Sequence, residues 1–118
     1  MNTTRWKNKN IMRFATWNIK SLNNRDQETV KELNHNNIDT CAIQETQKKG
    51  RGQILYSQYI VVYSGVVKNE RAKEGVAIAI KVRYRDCIRD CKYISSRILV
   101  VGLNTGHTKH KHTVNLRT

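Results

Sequence analysis

Two polar residues stand where apolar runs stop: Asn18 in Trp17-Asn18-Ile19-Lys20, and Glu45 in Gln44-Glu45-Thr46. If the two runs are neighbouring strands, a carboxylate and an amide meet at their ends. Such a pair suits a hard, oxygen-seeking cation such as Mg²⁺, which takes one or two carboxylates and completes its shell with water and phosphate oxygens. Spacing alone leaves a plainer reading open, in which Glu45 is the first solvated residue of a loop.

The elements that must position this pair follow from periodicity. Residues 12–19 (MRFATWNI) carry Met12 and Phe14 on one alternating face and Ala15, Trp17 and Ile19 on the other, as a strand covered on both sides does. Asn24 followed by Gln27 is a candidate capping pair, and Val30, Leu33 and Ile38 recur near helical spacing, predicting an amphipathic helix over residues 25–36. Residues 40–43 (TCAI) form a second buried run that delivers Glu45 at its end. The unit is strand, helix, strand, with the helix packed on a sheet. After a basic loop at 48–52 (KKGRG), β-branched runs at 59–63, 75–82, 97–103 and 112–116 predict an antiparallel meander. Residues 1–11 are polar and basic and are expected to form an arm; residues 12–118 then make one domain.

Lysine and arginine total 22 against 9 acidic residues, a formal charge of +13, which favours a polyanionic partner or serves solubility. Lys48, Lys49, Arg51, Arg71 and Lys73 are the candidate nucleic-acid contacts. Cys41, Cys87 and Cys91 are an odd set with no signal-like apolar run before them, so an intracellular, nuclear or cytoplasmic setting is expected. The longest apolar stretch, residues 76–80, is far short of the ~18–20 residues a membrane span needs.

The strings FATWNIKSL (14–22), CAIQET (41–46), KKGRG (48–52), YSG (63–65) and EGVAIAI (74–80) resemble, in order and spacing, the opening of the endonuclease/exonuclease/phosphatase superfamily. The nearest likeness is to endonuclease domains of non-LTR retrotransposons and craniofacial-development-protein-like chains. The resemblance implies an α/β fold, a partial four-layered sandwich of the DNase I-like type, mainly β with one or two helices. It also implies Mg²⁺- or Mn²⁺-dependent phosphodiester cleavage, with Glu45 as metal carboxylate and Asn18 as the amide beside metal and phosphate. Lys20 falls where some members carry a further polar or acidic residue, and Gly75-Val76 opens a family strand. Family domains continue into Tyr-Ala-Pro, Gly-Asp-Phe-Asn and Ser-Asp-His elements that do not occur here, and the chain has no proline. The resemblance therefore implies an N-terminal part, with one partial metal site, DNA as partner and a C-terminal half to be supplied. Alone, such a part is expected to be nearly inactive, or to persist as a basic, non-catalytic nucleic-acid-binding remnant of a mobile element. Keeping Phe14, Trp17, Ile43, Val76, Ile78 and Ile80 without the opposing strands, it is also expected to leave a sheet face wet and to be marginal or aggregating, since about 400 Å² of exposed apolar sheet forgoes about 10 kcal/mol.

Weaker constellations remain. His107, His110 and His112 have a spacing that admits zinc or a plain basic hairpin turn, without a fourth ligand to complete a tetrahedron. Cys87 and Cys91 have no second pair and are expected to be ordinary thiols. Tyr56, Tyr59 and Tyr63 are candidates for base stacking but fit sheet positions better.

Overall fold

A computed structural model describes residues 12–23, 25–71, 73–104 and 109–115; the expected arm at 1–11 lies outside them. The chain runs β1 (Phe14–Asn18), α1 (Asp26–His35), β2 (Thr40–Gln44), β3 (Arg51–Leu55), β4 (Tyr59–Ser64), β5 (Val76–Lys81), a 3-10 turn (Val82–Cys87), β6 (Ile88–Tyr93), β7 (Ile98–Asn104) and β8 (Lys109–Asn115). Two sheets result: five strands in the order β1-β2-β5-β4-β3, and three in the order β6-β7-β8. β1 and β2 are parallel around α1, and every other pairing is antiparallel.

The alternation in β5 explains how one strand serves two cores. Ala77 and Ala79 face α1, where Val30 and Leu33 pack with Ile19, Leu22, Cys41, Ile43, Tyr59 and Val61. Val76, Ile78 and Ile80 face the other way and meet Leu99, Val101, Leu103 and Val114 of the second sheet. Small side chains let the helix approach closely, while branched ones fill the ~10 Å gap between sheets. Helix, five-stranded sheet and three-stranded sheet are three of the four layers expected, and the mainly β composition agrees.

Several expectations need correction. β1 is an edge strand with one open face, because α1 covers only the Ala15 and Trp17 side while Phe14, Thr16 and Asn18 are exposed. The wet apolar face is absent: Ile43, Val76, Ile78 and Ile80 are each 0% exposed, Trp17 is half-buried against the helix side, and Phe14, at 45%, stands in water. The reason is that β6–β8 supply an opposing sheet from within this chain. Asn24 lies outside the described residues; the N-cap position belongs to Arg25, which makes no side-chain cap, and the Asp26 carboxylate accepts the Gln27 N–H at 3.1 Å instead. β3, the 3-10 turn and β6 were not expected. Charged residues mask the alternation in IRDCKY, and RGQIL begins inside the basic stretch, so Arg51 opens a strand rather than sitting in a loop.

Candidate functional site

All five strands of the first sheet start or stop on one row. The register pairs Asn18 with Gln44, Gln44 with Val76, Val76 with Ser64, and Ser64 with Arg51. β1 and β2 reach this row by their carboxyl ends, the side on which parallel α/β units take ligands. Glu45 is the first residue beyond it. There the Asn18 Nδ2 donates to Glu45 Oε2 at 2.8 Å, so the structure brings the two expected site residues together. The chain segments beyond both strands stay coupled, with the Ile19 N–H donating to Gln44 O at 3.1 Å and the Leu22 N–H to Thr46 O at 2.8 Å.

The backbone at this end is unusual. Lys20, Glu45, Gln47 and Glu74 have φ of +66°, +59°, +58° and +52°, and Gly75 has +93°. Each non-glycine residue so placed costs about 1–2 kcal/mol, which surrounding contacts must offset. Those contacts are visible: Thr46 and Gln47 donate their N–H groups to the carbonyls of Gly75 and Glu74 at 3.1 and 2.7 Å. A Cβ on Gly75 would lie 2.5 Å from the Oγ1 of fully buried Thr46, so both torsion and space require glycine, as expected of a structural position.

The expected cations gather at the same end without converging on a point. Lys48 is half-buried, its ammonium 5.3 Å from the Tyr63 ring centroid, and Lys49 bridges to Val66. Arg71 and Lys73 are exposed and line an open recess of about 650 Å³ with Gln47, Glu70 and Glu74. Arg51 stands on the far strand of the row, four spacings of ~4.8 Å or roughly 19 Å from Asn18. Lys20 is exposed. Together these residues make a cationic rim along the end of the sheet that carries Glu45.

The Glu45 carboxylate and the Asn18 amide oxygen are hard donors that fit an ion retaining water and phosphate oxygens, such as Mg²⁺ or Mn²⁺. Among the described residues no three His, Cys, Asp or Glu side chains cluster, so the set is partial. His107 lies outside the described residues, as do the side chains of His110 and His112. Cys87 and Cys91 are half-buried free thiols, and burial pushes the Cys41 thiol up to about 12. Tyr56 and Tyr59 belong to the core, not to a stacking platform: their hydroxyls donate to Asp26 Oδ2 at 2.8 Å and Ile38 O at 2.6 Å. Sequence reasoning missed Glu74, whose carboxylate accepts from Ser96 Oγ at 2.8 Å and pairs with Arg97 at 3.6 Å. Its one local signal was an acid preceding the glycine that opens β5.

No protein-family model and no curated protein matches the chain. Two solved structures resemble it: an AP endonuclease, LMAP, from Leishmania major, with a TM-score of 0.69 and 13% identity over 91% of this chain, and the 3′ phosphatase NExo from Neisseria bound to a product DNA hairpin, with a TM-score of 0.58 and 21% identity over 86%. The chain spans 40% of the length of each. Among the described residues no helix is long and apolar enough to cross a membrane. The chain thus carries the mixed α/β, two-sheet fold of these DNase I-like neighbours.

Proposed function

We propose that the chain is the metal-holding, N-terminal part of a DNA phosphodiesterase of the retrotransposon endonuclease type. The observation that carries this reading is the Asn18–Glu45 contact at the carboxyl ends of β1 and β2. Glu45 would hold Mg²⁺ or Mn²⁺, and Asn18 would fix the carboxylate rotamer and orient a phosphate oxygen. When bound, the ion supplies Lewis-acid polarisation of the phosphoryl group. Lys48, Lys49, Arg51, Arg71 and Lys73 would draw in the polyanion. The exposed Phe14, Thr16 and Asn18 face of β1 supports a remaining half of the domain packing there and bringing the general base. Lacking that base, the chain alone forgoes a factor of ~10²–10⁴.

The test is plasmid nicking. The chain alone should nick no faster than its Glu45→Ala variant, whereas co-expression with the C-terminal half of a related domain should yield nicking that Glu45→Ala abolishes. Activity in the complemented variant would sink the reading. The spread of the cationic rim over roughly 19 Å favours a second reading, a non-catalytic remnant that binds nucleic acid. It predicts a steep fall of DNA affinity with salt in either case, reduced when Lys48, Lys49 and Arg51 are neutralised together, and a flat slope would exclude it.

A further inference from the structure

The loop that presents Glu45 is held from the other sheet. Its Thr46 and Gln47 N–H groups donate to Gly75 O at 3.1 Å and Glu74 O at 2.7 Å, so the loop hangs on the Glu74-Gly75 edge. That edge is anchored in turn to the turn joining β6 and β7. The Gly75 N–H donates to Ser96 O at 3.1 Å, the Ser96 hydroxyl to Glu74 Oε1 at 2.8 Å, and Arg97 pairs with Glu74 Oε2 at 3.6 Å. The turn is itself fastened to the first sheet, where buried Ser64 donates to Ser95 O at 2.7 Å.

Glu74 has φ +52°, a conformation in which a non-glycine residue persists only when its surroundings over-determine it. Rotating it back to an ordinary backbone angle would swing its carbonyl off the Gln47 N–H. Gln47, at φ +58°, and Glu45, at +59°, would then lose the contact that keeps their own left-handed angles. The chain of support runs from Ser96 and Arg97 through the Glu74 carboxylate to its carbonyl, then to Gln47, and so to the carboxylate that meets Asn18.

We propose that Glu74 is a positioning residue, held by Ser96 and Arg97, that fixes Glu45 in its ligand-ready conformation; the metal part of this inference rests on the function proposed above. Groups that orient a metal's ligands without touching the ion commonly change metal affinity by about 10–100-fold when removed.

The experiment measures Mn²⁺ affinity by electron paramagnetic resonance and amide exchange of Thr46 and Gln47 by NMR, in the full chain. Glu74→Ala should lose about tenfold in affinity and unprotect the Gln47 amide. Glu74→Gln, which can still accept from Ser96, should largely restore both. Glu74→Gly relieves the backbone cost but removes the anchor, so it should behave as Glu74→Ala; wild-type behaviour there would show that only the torsion matters and would overturn the proposal. Unchanged Gln47 protection in Glu74→Ala would overturn it as well. Mn²⁺ binding insensitive to Glu45→Gln would instead refute the metal reading, leaving the amide exchange to judge the clamp by itself.

Discussion

β2 carries a carboxylate just beyond each end, and the two fare differently. Asp39 is 3% exposed; its Oδ2 accepts the Arg13 N–H at 2.8 Å and its Oδ1 the Arg83 guanidinium at 3.0 Å. That hydrogen bond holds the Arg83 pKa above its ordinary value. The Asp39 main chain is used too, donating to Arg13 O and accepting from Lys81 N, each at 2.9 Å. Glu45 is half-buried, meets a neutral amide, and among the described residues pairs with no cation, in a chain holding 22 lysines and arginines. Both are acids at strand ends. One is consumed by the fold that surrounds it, while the other is offered outward by a strained loop, and local sequence could not tell which was which.

The comparison breaks most visibly at the buried end. Asp39→Ala should destabilise the chain by about 1.5–3 kcal/mol, since it leaves the Arg13 N–H without its charged acceptor, while the Arg83 side chain, 65% exposed, turns to water and adds little. Urea denaturation measures this, and a loss below ~1 kcal/mol would mean that water replaces the carboxylate readily. At the other end the equivalent weak point is backbone. Gly75→Ala must force φ +93° on a side chain whose Cβ meets Thr46 Oγ1 at 2.5 Å, so a loss of about 2–3 kcal/mol is expected, with the Thr46 and Gln47 amides affected first.

What was legible follows the same division. The strand–helix–strand unit, Asn18 and Glu45 at strand ends, and the run at 76–80 were readable because local period and a switch from apolar to polar residues encode them. β3 and β6 were not, since exposed edge strands carry Arg51, Arg89 and Lys92 at no cost and so lose the alternation that marks a strand. The second sheet was legible only as pieces: Arg97 to Leu103 was expected as a strand, but nothing local said that it would cover Ile78 and Ile80. Asp39 and Glu74 escaped notice because their partners lie 44 and 22 residues away, at Arg83 and Ser96.

Tyr59 sharpens the comparison by pH. It belongs to the Asp39 end, donating to Ile38 O at 2.6 Å, and burial followed by the Asp39 charge pushes its hydroxyl from 10.0 up to about 12. The folded pKa is raised, so the stabilisation is complete below pH 10 and is lost as pH rises from 10 through 12. The amount is about 3 kcal/mol, and Tyr59→Phe should flatten that part of the alkaline stability curve. An unchanged curve would show that Tyr59 ionises freely, and that the core at this end is looser than its burial indicates.

The smallest expected stability effect lies at Glu45 itself. Its carboxylate makes one exposed hydrogen bond, to Asn18, which contributes about 0.5–1.5 kcal/mol, while its φ of +59° is one that glycine adopts without penalty. Glu45→Gly should therefore melt within about 1 kcal/mol of the parent chain, because the lost hydrogen bond and the relieved torsion nearly cancel. Its response to metal should differ sharply. An ion bound only by the folded parent at ten times its Kd adds about 1.4 kcal/mol, and the variant should gain none of it. Melting curves with and without Mn²⁺ separate the cases. A variant destabilised by much more than 1.5 kcal/mol in the absence of metal would place Glu45 beside Asp39 as a carboxylate the fold needs for itself. A stable variant that still responds to Mn²⁺ would move the ion elsewhere on the chain.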